Sequence, residues 1–192
     1  MVIRILKTSV IVALLTPILS HAADCSANIQ AASSIELVGV YASPLPSSRS
    51  TGMAYWYDVD LWRVDDCYFG YLTVTNSREG DPPYGILSFR LAPNDNRISF
   101  SSKLSMAVRY QGADKPGIPT KDLFEFSGTF NKTQIVGAFT YSDKLSADPS
   151  TTQKTRLKID PKHTLYLSKK GTTFRDWQED AERTLNFSGP KW

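Results

Sequence analysis

Alternation of apolar and polar residues with period two is the sequence feature that most constrains the fold, because it is typical of strands with one buried face. Between Leu123 and Tyr141 two alternating runs flank residues 131–133, which can turn the chain, and this pattern predicts a β-hairpin. Each arm carries one glycine, Gly128 or Gly137, where a sheet can bend or curl. Further strands are predicted at Glu36–Ala42, Met53–Val64, Tyr68–Thr75, Tyr84–Leu91, Arg97–Ser101, Leu104–Tyr110, Lys154–Ile159 and Thr164–Ser168.

The number and spacing of these strands predict the fold class. A flat open sheet rarely carries about ten strands without curling, so we expect a mainly β fold: a single antiparallel β-barrel or strongly curled meander of about 8–10 strands. One C-terminal α-helix is expected after the capping residue Thr173, with Phe174, Trp177, Ala181 and Leu185 on one side. No repeat or flexible linker divides the chain, so residues 23–192 are interpreted as one domain.

Residues 1–22 have the features of a signal peptide. Arg4 and Lys7 precede an apolar run at 9–19, and residues 20–22 supply small side chains at the two positions that a signal peptidase reads. The apolar run is too short for a membrane span, which needs about 20 residues. We therefore predict cleavage between Ala22 and Ala23 and a mature protein that is periplasmic or secreted, without a membrane span.

Export determines how the two cysteines are interpreted. In an oxidising compartment they most simply form one disulfide, Cys25 to Cys67, which ties the mature N-terminus to a strand. A redox pair is the alternative, but such cysteines usually lie close together in the sequence, as in Cys-x-x-Cys. The sequence therefore favours a structural disulfide.

The order of these segments resembles a known group of small barrels. A leader, Gly39-x-Tyr41 on the first strand, an up-and-down series of strands and a late helix are similar to the calycin and lipocalin-like barrels. Those families have Gly-x-Trp on the first strand, whereas this chain has a tyrosine, and their Thr-Asp-Tyr turn and late arginine are not evident. The resemblance implies the architecture of a small periplasmic β-barrel, and no functional residue is transferred from it.

Charge and composition exclude several classes of function. Loss of Arg4 and Lys7 with the leader lowers the net charge from +3 to +1, which gives no electrostatic reason to expect nucleic acid or an anionic membrane as partner. Of the two histidines, His21 lies in the leader and His163 in a predicted turn. Because the usual nucleophile, phosphate-loop and metal motifs are missing, the sequence predicts no enzymatic activity, no cofactor and no metal site.

One group of residues on a predicted strand is a candidate binding site. Trp56, Asp58, Asp60 and Trp62 share one face of the strand predicted at Met53–Val64. Two indoles around two carboxylates can stack on sugar rings and accept hydrogen bonds from hydroxyl groups, or they can form a protein interface. In the competing interpretation the tryptophans pack under a loop or the C-terminal helix, and the acids face water.

Two chemical interpretations of the acidic residues are weaker. A calcium site at Asp58, Asp60, Asp65 and Asp66 lacks the glycine turn and terminal glutamate of a helix-loop-helix calcium loop. As a pair for glycoside hydrolysis, Asp58 and Asp60 are neighbours on one strand face, and nothing in the sequence marks either as a proton donor.

Basic residues alternate on the strand at Lys154–Ile159. Lys154, Arg156 and Lys158 share one face, with Lys162, Lys169 and Lys170 nearby. A solvated strand face is the ordinary interpretation of such a row, and contact with an acidic partner is the alternative.

Two classes of function remain. The first is an exported interaction protein that binds a protein partner, as periplasmic inhibitors and toxin-immunity proteins do. The second is a carrier of a glycan or small apolar ligand, bound inside the barrel or on the face from Trp56 to Trp62. The space inside the barrel decides between them, and we expect large side chains to fill it, which favours the protein partner. The expected filling residues are Tyr55, Tyr57, Phe124, Phe126 and Phe139.

Overall fold

The structure, a computed structural model, describes residues 25–44, 55–76, 84–104, 108–109, 118–169, 173–179 and 192. The predicted signal peptide at 1–22 lies outside these residues. The helices in the described residues are α1 (Ser26–Ala31), α2 (Pro161–Leu167) and α3 (Phe174–Glu179). The strands are β1 (Glu36–Ala42), β2 (Tyr55–Val64), β3 (Cys67–Asn76), β4 (Tyr84–Arg90), β5 (Arg97–Lys103), β6 (Val108–Arg109), β7 (Ile118–Pro119), β8 (Asp122–Asn131), β9 (Gln134–Asp143) and β10 (Thr151–Ile159).

Eight strands form one antiparallel sheet in the order β4-β3-β2-β1-β10-β9-β8-β5, while β6 and β7 pair separately. The two edge strands, β4 and β5, lie against each other, since the rings of Phe89 and Phe100 stack with their centroids 5.9 Å apart. Farther along the same seam, Gly85 lies so close to Ser102 and Lys103 that a side chain there would overlap them. The sheet is therefore a nearly closed barrel, and the predicted mainly β fold class is confirmed.

The interior of the barrel is packed with aromatic rings. Tyr57 stacks on Phe139 with ring centroids 4.2 Å apart, and Phe126 lies 4.9 Å from Phe139 and 5.1 Å from Phe100. Phe124 is also buried, so the predicted filling is confirmed for these side chains, whereas the side chain of Tyr55 lies outside the described residues.

Two glycines make room for one of these rings. Gly128 and Gly137 face each other directly across the β8–β9 ladder. A Cβ atom at either position would come within 2.8 Å or 2.7 Å of the Phe126 ring. The glycines that the sequence places at a bend therefore also accommodate an aromatic ring of the core.

A second core lies on the outer face of β1–β4, beneath the three helices. The disulfide Cys25–Cys67, with its Cα atoms 5.7 Å apart, joins α1 to the start of β3, as predicted. The buried residues of this outer core are Cys25, Ile29, Ile35, Val40, Trp62, Cys67, Phe69, Tyr71, Ile86, Leu167, Phe174 and Trp177. The strands β1–β4 are therefore buried on both faces over part of their length.

The predicted cap of the C-terminal helix is confirmed. The Thr173 hydroxyl accepts a hydrogen bond from the Asp176 backbone N–H at 3.0 Å, and the Asp176 carboxylate accepts one from the Thr173 N–H at 3.1 Å. Phe174 and Trp177 on the helix are buried, whereas Ala181 and Leu185 lie outside the described residues.

The strand predicted at Thr164–Ser168 is wrong, because residues 164–167 belong to α2 and Ser168 is its C-cap. The Asp160 carboxylate accepts hydrogen bonds from the first free backbone N–H groups of the helix. Pro161 follows at the first helical position, where its missing N–H costs nothing. His163 therefore lies in the first turn of a helix rather than in a turn, and its side chain is exposed.

Two other elements need comment. Of the strand predicted at Leu104–Tyr110, residues 105–107 and 110 lie outside the described residues; β5 ends at Lys103, Leu104 is buried just after it, and Val108–Arg109 form β6. The helix α1 was not predicted, because its six residues are too few to show a helical period. None of the helices in the described ranges is long and apolar enough to cross a membrane.

The connections at the two ends of the barrel differ in length. At one end the strands are joined by residues 65–66, 91–96 and 132–133, and α1 and α2 attach there. At the other end the connections are residues 43–54, 77–83, 104–121 and 144–150. Long connections thus emerge from one end of the barrel, which we call the long-loop end.

Candidate partner-binding site

The β2 outer row consists of Trp56, Asp58, Asp60 and Trp62, which alternate along β2 with their side chains outside the barrel. Their partners on β3 are Thr75, Thr73, Tyr71 and Phe69. The opposite face of β2 carries Tyr57, Val59 and Leu61, all buried in the interior. The predicted shared face is therefore present, and the surroundings of each residue determine what it can bind.

Trp62 belongs to the outer core. It is 5% exposed, and its ring lies 6.1 Å from that of Trp177 on α3 in an edge-on arrangement. Phe69 is 6.4 Å away on the neighbouring strand. Trp62 therefore packs beneath the C-terminal helix, in agreement with the interpretation that the tryptophans of the row are packing residues. Its ring is not available to an external ligand in this conformation.

The other three residues of the row are half-buried. Burial raises the pKa of Asp58, and the neighbouring charges of His163 and Asp160 shift this pKa down and up respectively. Because both neighbours lie at the start of α2, this helix passes close to Asp58. Trp56, Asp58 and Asp60 thus form the half-buried part of the row, with Asp58 beside α2.

The four acidic residues considered for calcium separate into two groups. Asp65 and Asp66 form the β2–β3 turn, and Asp66 is paired with Arg90 at 3.1 Å. Asp58 and Asp60 lie in the middle of β2. Within the described ranges, no group of three or more His, Cys, Asp or Glu side chains could hold a metal ion.

An apolar surface on α2 escaped the sequence analysis. Leu165 and Tyr166 are 61% and 59% exposed, while Leu167 on the other side of the helix is buried in the outer core. Thr164 also faces the barrel, since its hydroxyl oxygen accepts a hydrogen bond from the Val40 backbone N–H at 2.9 Å. The Asp160-Pro161 cap was the signal that could have identified this helix and separated its buried residues from its exposed ones.

Comparison of the chain with known protein families, curated proteins and solved structures finds no match.

Proposed function

We propose that this protein is an exported, non-enzymatic interaction protein that binds a protein partner, in the manner of a periplasmic inhibitor or a toxin-immunity protein. The observation that carries the proposal is the packed interior of the barrel. A carrier of the barrel type holds its ligand inside, but here buried rings of Tyr57, Phe124 and Phe139 pack against one another in that space.

Two further features support the proposal. The Cys25–Cys67 disulfide fits an oxidising compartment outside the cytoplasm, in agreement with the signal-peptide pattern of residues 1–22. Large apolar side chains are exposed on α2 and at Leu145 near the long-loop end. Exposed apolar groups beside polar ones are typical of surfaces that bind other proteins.

The alternative function is binding of a glycan or small ligand on the half-buried part of the β2 outer row, at Trp56, Asp58 and Asp60. It is favoured by the half-buried indole of Trp56 next to two carboxylates, which suits a sugar ring and its hydroxyl groups. In this alternative the ligand binds outside the barrel.

The test begins with the mature protein, oxidised and immobilised, in a periplasmic extract of its source at about 0.15 M salt. The proposal predicts that a specific protein is retained and that it forms a saturable complex when both proteins are purified and mixed. Heat-denatured protein on the same support is the control for binding to unfolded chains.

A glycan array with wild-type protein and with Trp56→Ala decides the alternative. Saturable glycan binding that the substitution abolishes, together with no retained protein, would replace the proposed function by the alternative. Cell fractionation and N-terminal sequencing test export separately: the mature chain should begin at Ala23, and an intact Met1 in the cytosol would contradict export.

A further inference from the structure

We infer that the surface formed by α2 and the outer face of β10 is the docking surface for an acidic protein. We call this the α2–β10 surface, and it consists of Lys154, Arg156, Lys158, Lys162, Leu165 and Tyr166. The inference rests on the proposed function and specifies both the surface and the charge of the partner.

Positive charge is concentrated in this segment although the mature chain is close to neutral. Residues 154–169 contain five lysine or arginine residues and one acidic residue, Asp160. The Asp160 carboxylate already accepts hydrogen bonds from two backbone N–H groups at the start of α2. The segment therefore carries a local excess of positive charge.

The neighbouring strand does not neutralise the row on β10. Lys154, Arg156 and Lys158 are exposed, and their partners on β9 are Ala138, Val136 and Gln134, which carry no charge. Within the described residues, no acidic group lies within ion-pair distance of these three side chains. Three like charges about 7 Å apart on one strand face repel one another, and an acidic partner would relieve that repulsion.

The apolar part of the surface lies on α2, which follows the charged row in the chain and packs on β1, the strand beside β10. Leu165 and Tyr166 are exposed because Thr164 and Leu167, on the opposite side of the helix, hold it against β1. The helix is therefore attached firmly to the barrel, and the two apolar side chains are presented on a fixed support. Lys162 lies one helical turn before Tyr166, at the edge of the apolar area.

The combination favours a protein over a nucleic acid or a membrane. Protein interfaces have an apolar centre, enriched in tyrosine and arginine, surrounded by polar residues. A nucleic acid requires a broad excess of positive charge, which the mature chain lacks. Stable attachment to a membrane requires more buried apolar surface than two side chains on a short helix provide.

The experiment uses the mature protein and the partner retained in the extract. Carbodiimide cross-linking joins lysine amines directly to carboxylates, so we expect cross-links from Lys154, Lys158 or Lys162 to Asp or Glu of the partner. Lys154→Glu combined with Lys158→Glu should lower the association rate constant about tenfold or more and weaken its dependence on salt. Leu165→Ser combined with Tyr166→Ser should instead accelerate dissociation.

A matched control changes the same charge elsewhere. Lys121→Glu combined with Lys144→Glu alters two lysines at the long-loop end, opposite the end where α2 attaches, and these substitutions should leave binding unchanged. Thermal unfolding of all variants, followed by circular dichroism, separates lost binding from lost folding.

The outcomes separate the two proposals. If the partner binds equally well to the Lys154→Glu/Lys158→Glu and the Leu165→Ser/Tyr166→Ser proteins, the α2–β10 surface is wrong and the proposed function stands. If wild-type protein retains no partner at all, the proposed function fails and the surface fails with it. The wild type could instead bind saturably to phosphatidylglycerol vesicles at about 0.15 M salt. If the Lys154→Glu/Lys158→Glu protein loses that binding, the inference is overturned in favour of a lipid surface.

Discussion

The two halves of the barrel wall differ in what covers their outer faces. Strands β1–β4 are covered by helices, so that on β3 the outward Phe69 and Tyr71 are buried, as is the inward Leu72. Strands β5, β8, β9 and β10 lack such a cover among the described residues, and β5 alternates strictly between exposed and buried residues from Arg97 to Ser102. Both halves share one interior core. The comparison therefore separates the stability that the interior core provides from the stability that the outer core beneath the helices adds.

The largest expected effect on stability comes from a substitution in the outer core of the covered half. Trp62→Ala empties a buried aromatic site, which should lower the free energy of unfolding by about 3–5 kcal/mol. Urea denaturation of the oxidised protein measures this. Ser127→Ala, at an exposed outward position of β8, is the control and should change stability by less than about 0.5 kcal/mol. A loss below about 1 kcal/mol for Trp62→Ala would show that the outer core contributes little.

Removal of the disulfide should have the next largest effect. Cys25→Ala combined with Cys67→Ala should lower the free energy of unfolding by about 2–4 kcal/mol, because the unfolded chain regains the freedom that the cross-link removes. The chain has two cysteines, so reduction of the wild type should reproduce the result. Unchanged stability after reduction would contradict the view that the link to α1 strengthens the covered half.

Much of the barrel could be predicted from the sequence, and the reason differs between the halves. On β5 and β8 one face is wet, so period-two alternation marks both the strands and their inward residues, such as Phe124 and Phe126. On β2 the alternation located the row correctly, but no local pattern states whether Trp62 meets water or Trp177, which lies more than a hundred residues away. Burial on the outer face depends on tertiary contacts. For that reason the row that the sequence presents as one face contains a buried residue, Trp62, and three half-buried residues.

Titration of the shared interior should affect both halves together. Burial, with a smaller contribution from Tyr68, raises the pKa of Tyr41 from 10.0 to about 12. Between these pH values the unfolded chain loses the proton while the folded chain keeps it, so the stability that this group contributes at lower pH is lost as pH rises. Tyr41→Phe should abolish about 2–3 kcal/mol of the alkaline loss, measured by urea denaturation at pH 9 and pH 12.

The two halves should also unfold together in that experiment. Near-ultraviolet circular dichroism reports the aromatic cores, and far-ultraviolet circular dichroism reports the sheet. Coincident transitions are expected, because the interior belongs to all eight strands of the main sheet. An alkaline transition seen only in the near-ultraviolet would show instead that one half loosens alone.

The smallest effect concerns Asp58, at the edge of the covered area. Because burial raises its pKa, the ionised form opposes folding at neutral pH, and its contribution to stability declines as pH rises through that pKa. Asp58→Asn should therefore raise the free energy of unfolding at neutral pH by less than about 1 kcal/mol, since the group is partly solvated. The gain should vanish in acid, where the wild-type carboxyl is protonated.

Asp95, in the β4–β5 connection, provides a control of opposite sign. Hydrogen bonds from Arg97 lower its pKa to about 2, so its contribution is present at neutral pH and is lost as pH falls. Asp95→Asn should therefore lower stability at neutral pH, as measured by urea denaturation. A stabilising effect at Asp95, or a destabilising one at Asp58, would contradict these assignments.

The ladder between β1 and β10 has a consequence for the order in which the barrel assembles. Its Cα partners are Tyr41 with Ile159 and Ala42 with Lys158, whereas the β2–β3 and β8–β9 ladders join strands separated by two-residue turns. The entropic cost of closing a loop rises with its length, so these hairpins can form before β1 pairs with β10. We expect a chain that leaves the ribosome or a translocation channel to remain an open, curled ribbon until residue 159 emerges. Folding kinetics of Ile159→Val should accordingly show a φ-value near zero, against a high value for Ile135→Val in the β8–β9 hairpin.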